Sequence, residues 1–518
     1  DASYIITAVE LRNSAGEVIK TWEGLALEKG DTWTGDLDLE GSFTLYCTVR
    51  KEDEQAAGRY EYGTVTIKLH EVTESQIIGE SFFTDTDGDG FSDSWESYND
   101  FDPADAADGD PVYVSASASE GGLGTEASPY KSLTMGLWKA KYGLTKEART
   151  VMVVGNITRA TEDIAAVTET PAGTTGDPAR TTSLVYITDT GARGVTISGN
   201  PSAVIDAAEI PSAYTGQKRA LYLGPGTKMT LKSITITNGS AIQAAGIHAN
   251  GAALTLDEGV VIQKGLSASG ASPGSGVLAS NGASVLMKNG SLIGDDDLDD
   301  DVDKANKGWR GVGVSLFNKS SLTMEGGSRI SGNKSLAGGA VNADLGCLVT
   351  LEDRAEISEN IDNFDPSVQS IGQGGGVQLN RGSRLIMKGG LITGNILTKG
   401  GGGGGVYVGS ESVFEMQGGK ISGNKTNEIT IKETASKGNG GGVYVDSGGA
   451  FNMSGGEIGG NTANGRGGGV YVNDGGSFFK TGGIIYGLGS YESNTANSGG
   501  AAYASPGKST EDTLSGYF

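Results

Sequence analysis

The sequence predicts an all-β chain whose main body is a right-handed parallel β-helix, and three observations predict it. Of 518 residues, 87 are glycine and only 36% are apolar, a composition too rich in glycine for a helical protein. An apolar anchor recurs at Ile247, Val277, Val314, Val341, Val377, Val406, Val443 and Val470, with gaps of 30, 37, 27, 36, 29, 37 and 27 residues. Two more apolar positions follow at nearly fixed offsets: Met287, Met324, Leu351, Met387, Met416 and Met453, then Leu292, Ile330, Ile357, Ile392, Ile421 and Ile458. Each unit closes on a polar residue, Asp295, Asn333, Asn360, Asn395, Asn424 or Asn461.

Residues 1–78 come first. YIITAVEL, EVIKTWEGLAL, SFTLYCTVR and YGTVTIKLHEV alternate apolar and polar positions between turn residues, the pattern of a small antiparallel sandwich. Its length suits an immunoglobulin-like module acting as a spacer or, less simply, as a ligand-binding domain.

Residues 79–110 form an acidic linker. DTDGDGFSDSWE places Asp85, Asp87, Asp89, Phe91, Asp93 and Glu96 at the ligand positions of a calcium loop, the phenylalanine by its main-chain carbonyl, with Gly90 at the sharp turn. Alternate residues of a tight loop point inward, and a terminal glutamate closes the sphere with two oxygens. The continuation SYNDFDPADAADGD resembles thrombospondin type 3 and related calcium repeats of bacterial surface proteins. That resemblance implies Asp102, Asp105, Asp108 and Asp110 as ligands of a second ion; a solvated linker without metal is the plainer alternative.

Residues 111–145 read as a cap. A strand, a Gly-rich loop and a helix start at Ser128-Pro129 lead into a helix whose Tyr130, Leu133, Leu137 and Ala140 share a face suited to plugging the first coil.

From residue 146 to 518 the repeats take over. Period-two words such as Val406-Tyr407-Val408 and Phe414-Glu415-Met416, separated by glycine pairs, make strands of three to five residues and leave no room for helices. Three strands per coil, stacked about 4.8 Å apart, enclose a narrow apolar interior, and parallel crossovers are right-handed. Glycine supplies positive φ at the corners, and the asparagines, which tolerate the left-handed conformation, can bond from coil to coil. The pattern decays at the end: Lys480 takes the methionine position, Leu488 the asparagine position, and GGAAYA at 499–504 is a last copy. The GGGVYV and FxMxGGxIxGN words resemble those of bacterial surface proteins with right-handed parallel β-helix repeats. They are also similar to the GGA(I/V/L) and FxxN words of polymorphic outer membrane proteins. The resemblance spans about two-thirds of the chain and implies a secreted or surface-displayed structural or adhesive protein.

Charge and chemistry narrow the function. A net charge of −24 disfavours nucleic acid and anionic membranes and favours divalent cations. No apolar run reaches the roughly 18 residues of a membrane helix. The two cysteines, Cys47 and Cys347, fall in different domains and read as buried thiols. The chain begins at Asp1, which suggests a trimmed, exported product.

Candidate surfaces remain. The long coils should bulge after Asp295, Asn360 and Asn424 and set three loops side by side as a shelf for a glycan, a protein or another copy. Tyr407, Tyr444 and Tyr471 on successive coils form either a sugar-stacking face or a self-stacking ladder, and Trp309 is either a sugar platform or packed on the rod. The outward residues Thr323, Thr350, Ile386, Glu415, Asn452 and Phe479 pair no carboxylates, and His70 and His248 stand apart, so a non-catalytic protein is expected. The alternative is a polysaccharide lyase or glycoside hydrolase of the pectate-lyase-like type, with Arg329 and Glu356, or Asp362 and Asp365, as its chemistry.

Overall fold

The computed structural model describes the strands between residues 5 and 72, and most of the chain from 111 to 504 together with Leu514–Ser515. Residues 73–110, 143–148, 159–182, 209–218, 268–273, 296–303, 363–371 and 505–513 lie outside the described residues, as do a few shorter stretches. The chain divides into two compact units, Asp1–Asp110 and a second that begins at Pro111.

In the first unit β1 (Ile5–Asn13), β2 (Val18–Leu27), β3 (Gly41–Glu52) and β4 (Tyr60–Val72) make one antiparallel sheet in the order β2-β1-β3-β4. Cys47 lies opposite Val9 and Val65 in this sheet. A sandwich needs a second sheet, and none lies among the described residues.

The second unit is the right-handed parallel β-helix. Its anchor sheet has eleven parallel strands, from Ser183–Ile187 to Ala502–Ala504, stacked in strict register: Val377 pairs Val406, Val406 pairs Val443, and Val443 pairs Val470. Ten coil spacings of about 4.8 Å make this sheet about 50 Å long. The methionine and isoleucine strands form two adjoining ladders that merge, at the N-terminal end, into long strands such as Lys228–Thr237. Each coil also has a fourth segment that the apolar pattern conceals. Two-residue strands such as Lys334–Ser335, Ile361–Asp362, Ile396–Leu397 and Lys425–Thr426 follow the asparagine and build a nine-stranded sheet of their own. A segment with one inward side chain leaves no periodic signature.

Inward positions fill the interior. The anchors, the methionines and a column running Leu385, Phe414 and Phe451 are fully or almost fully buried in one continuous core. Phe414, Phe451 and Phe478 stack with centroids 4.6 and 4.9 Å apart. The third apolar column runs through Ile293 rather than Leu292, because Ile293 pairs with Ile262 and Ile330 while Leu292 pairs with Val261 and Arg329. At the far end Lys480 stands in register with Met453, so the inner column stops there.

Each glycine of the GGG word has its own cause. Gly403 has φ +78°, and a Cβ there would strike the carbonyl of Val406. A Cβ on Gly404 would lie 2.5 Å from the oxygen of Gly441, and one on Gly405 2.7 Å from that of Gly442. The corner closes only because successive coils touch backbone to backbone.

Seven buried asparagines, Asn306, Asn333, Asn360, Asn395, Asn424, Asn461 and Asn494, run down the rod. The side-chain oxygen of Asn424 accepts from both the backbone N–H and the Nδ2 of Asn395, at 3.0 and 2.9 Å. Asn424 in turn donates Nδ2 to Asn461 and to the carbonyl of Ile392. Two positions correct the sequence reading: Asn306 rather than Asp295 occupies this row, and the row continues to Asn494 where the sequence reading had Leu488, which lies outside the described residues. The ladder stops at Asn494, whose Nδ2 turns back to Tyr486 O at 2.8 Å. The asparagines themselves are not left-handed; at five of the seven the residue before them is. Gly332, Gly394, Gly423 and Gly460 take φ of 64 to 68°, and Glu359 is forced to 54° in the same place.

The cap starts later than Ser128-Pro129. The helix α1 spans Leu133–Tyr142, and Ser132 Oγ accepts from Met135 N at 3.3 Å. Leu133, Leu137 and Ala140 are buried in the same core as Val114, Val151 and Val153, and Tyr130 packs against it. Burial pushes the Tyr130 phenol up to about 12.

Candidate functional site

The outward middle residue of each anchor strand forms a column: Tyr186, Tyr222, His248, Leu278, Ser315, Asn342, Gln378, Tyr407, Tyr444, Tyr471 and Tyr503. Tyr407, Tyr444, Tyr471 and Tyr503 stack nearly parallel, with centroids 5.5, 5.1 and 5.7 Å apart. Tyr186 and Tyr222 do the same at 5.0 Å, with the His248 ring edge-on to Tyr222. The expected tyrosine row therefore exists, and its faces are spent on one another. The glycine loops also cover it: Gly402 lies so close over Tyr444 that a Cβ would enter the ring, and Tyr407 and Tyr471 are each only 5% exposed. The Tyr407 hydroxyl donates to Asp446 and accepts from Gln373 Nε2 at 3.1 Å. Burial first, then the Asp446 carboxylate, raises the Tyr407 phenol well above its ordinary range; burial does the same for Tyr444. Stacked, covered rings leave no face for a sugar. The column acts as a second, outer core.

The loops leave the rod at two different edges, which revises the single shelf. The acidic loop departs after Leu292–Gly294 and returns before Asn306, with Asp295 buried and accepting from Lys304 N at 2.9 Å. The other two depart after the short strands Ile361–Asp362 and Lys425–Thr426, and the second carries a hairpin, Ile429–Ile431 with Thr434–Ser436. The strands they depart from lie two coils, or about 10 Å, apart. Trp309 is half-buried beside the rod, its carbonyl accepting from Ala337 N.

Every expected calcium ligand, Asp85, Asp87, Asp89, Phe91, Asp93, Glu96, Asp102, Asp105, Asp108 and Asp110, lies outside the described residues, as do most of the acidic loop and Asp365. Among the described residues no group of three or more His, Cys, Asp and Glu could hold a metal ion. Cys347 is a buried free thiol that donates to Asp344 O at 3.0 Å, and burial raises its pKa.

The outer faces of the methionine and isoleucine ladders carry charge in coil-to-coil pairs. Arg384 meets Glu415 at 2.6 Å, Lys388 meets Glu352 at 2.8 Å, and Lys420 meets Glu492 at 2.6 Å. Arg329 and Glu356, the pair considered for catalysis, sit 3.5 Å apart on adjacent strands as one more such bridge. Asp362 is fully buried, accepting from Ser335 Oγ at 2.6 Å and Gly338 N at 2.9 Å, in a loop-anchoring role. On the methionine face the last coils change character. Glu415, Gln417, Asn452, Met453, Ser454, Phe479 and Thr481 line a shallow groove over the last three full coils, with Phe479 51% exposed. The groove is concave because the Gly-Gly corners after it press onto the coil before: a Cβ on Gly418, Gly455 or Gly482 would collide with the carbonyl of Lys388, Gln417 or Ser454. Phe479 and Asn452 were legible as outward residues. Gln417, Ser454 and Thr481 were not, since they sit at strand ends beyond the repeat's apolar beat.

No family model matches the chain, and no curated protein matches it. Among solved structures it shows a likeness to a TibC-catalysed, hyper-glycosylated fragment of TibA. The two are 13% identical, with 62% of this chain and 98% of that one covered and a TM-score of 0.13. A likeness of that score carries no argument about function.

Proposed function

We propose that the protein is a secreted or surface-displayed, non-catalytic rod that presents its loops and outer faces to a glycan, a protein or another copy of itself. The observation that carries this reading is the use of outward charge. Arg329–Glu356, Lys388–Glu352, Arg384–Glu415 and Lys420–Glu492 bind coil to coil. A lyase or hydrolase needs such groups converging on a substrate instead. Buried ladders supply the stiffness that display requires. Calcium held by Asp85, Asp87, Asp89, Phe91, Asp93 and Glu96, with a second ion near Asp102, Asp105, Asp108 and Asp110, would rigidify the linker. Among the described residues no helix is long and apolar enough to cross a membrane.

Incubation with acidic and neutral polysaccharides should yield no new reducing or unsaturated ends. Reproducible cleavage that disappears on substitution of surface carboxylates would replace this reading with an enzymatic one. For the metal, calorimetry should show calcium heats in the wild type that shrink in Asp87→Ala; equal heats would remove the calcium assignment.

A further inference from the structure

The groove at the C-terminal end of the methionine face has the chemistry of a sugar site. Its floor repeats in two rows: Glu415, Asn452 and Phe479 pair in register on three neighbouring strands, and Gln417, Ser454 and Thr481 follow two residues on. Successive members of a row lie about 4.8 Å apart along the coil axis, on the scale of one hexose ring. Phe479 offers an exposed aromatic face, which packs against the C–H face of a pyranose. Around it stand amides, hydroxyls and one carboxylate. Neither Gln417 nor Asn452 has a side-chain hydrogen-bond partner among the described residues, and both are exposed. One coil back the equivalent position is spoken for: Lys388, in the row of Gln417, is held by Glu352.

Charge selects among ligands. The only ionised side chain in the groove is Glu415, whose charge is already met by Arg384, and the whole chain carries −24. Both disfavour an anionic polymer. A peptide docking as an added strand is disfavoured too, because the backbone amides and carbonyls of these strands are used between coils.

We propose that this groove binds an uncharged, linear polysaccharide lying along the coil axis, with Phe479 as the stacking platform and Gln417 and Asn452 as the hydroxyl-reading groups. This rests on the surface-binding reading above and names the ligand class for it.

Native gel electrophoresis of the whole chain through gels containing a neutral mixed-linkage β-glucan, galactomannan, xylan or dextran tests it, with polygalacturonate and an unrelated immobilised peptide library as contrasts. The wild type should be slowed by at least one neutral polymer and by neither contrast. Phe479→Ala should weaken that retention about tenfold, and Asn452→Ala with Gln417→Ala should weaken it as well. Leu348→Ala, an exposed apolar change on an earlier coil, should leave it intact. An unchanged thermal midpoint certifies each variant; if Phe479→Ala fails that check, the amide pair decides alone. Equal retention of wild type and groove variants moves the site elsewhere and overturns the proposal while surface binding stands. Retention only by polygalacturonate or by peptide, or none at all, also overturns it. Release of new sugar ends would instead strike the non-catalytic reading, whatever the groove binds.

Discussion

At the scale of single residues, the asparagine row shows how much one side chain can hold. Asn424 accepts two bonds from Asn395 and donates to Asn461 and to Ile392 O, with no exposure to water. Asn424→Ala would leave the Asn395 backbone N–H buried without its acceptor and take one of two acceptors from Asn395 Nδ2, and it would remove the Nδ2 donor from Ile392 O and Asn461, which keeps only the backbone N–H of residue 424. The expected loss is about 3 kcal/mol, read as a lower denaturant midpoint, whereas Asn452→Ala on the surface should stay within about 0.5 kcal/mol. The residue ahead of the ladder supplies the opposite case. Glu359 occupies a left-handed position that four other coils give to glycine, and burial together with the neighbouring Glu356 raises its carboxyl pKa. Glu359→Gly removes both the strain and the repulsion, so a gain of about 1 kcal/mol is expected; a loss would show that the side chain contributes something the φ angle does not reveal. The ladder itself was legible as a periodic asparagine. Asn306 and Asn494 were not, because insertions ahead of them broke the spacing by which a repeat is recognised.

At the scale of elements, the question is which face of a strand is inside. Alternation in Val406-Tyr407-Val408 identifies the valines as inward, and it assigns the tyrosine to the outside, where solvent or a ligand would meet it. The structure buries the row again, because the glycine loop ahead of an anchor strand runs over the outer face, as Gly402 does over Tyr444 of the next coil. A glycine word carries no hydrophobic signal, so this second layer could not be read from apolar periodicity; the four-segment coil escaped for the same reason. The stack makes a pH prediction. The phenols of Tyr407 and Tyr444 have folded pKa values raised above the ordinary 10.0 by burial. The fold therefore favours the neutral form, and this stabilisation is complete below about pH 10, where the unfolded chain is neutral too. Above that the unfolded chain ionises first, and stability falls as pH climbs toward the raised folded values. Thermal midpoints should drop steeply from pH 9.5 to 11, and Tyr444→Phe should flatten the drop while keeping the ring. An identical alkaline slope in the variant would mean that the rings are open to hydroxide.

At the scale of the whole β-helix unit, coils pair strand to strand with their neighbours, so stability is close to a sum along one axis and the ends are its weakest terms. The N-terminal end is closed by α1, whose Leu133, Leu137 and Ala140 sit in the core with Val114, Val151 and Val153. Gly136 brings that helix so close to the first strand, Val112–Ser115, that a Cβ would strike Val114. Leu137→Asp puts a charge where 2% of the side chain meets water. If the plug serves the whole rod equally, protection from hydrogen exchange should fall everywhere together. Nearest-neighbour coupling predicts a gradient instead. Amides of Arg149–Thr158 and Ser183–Ile187 should exchange at least about tenfold faster, while those of Val406–Val408 and Val443–Val445, inside the intact asparagine and phenylalanine stacks, should keep wild-type rates. A uniform acceleration would make the unit one cooperative body, and the repeated words of its sequence would then describe geometry without describing how the stability is distributed.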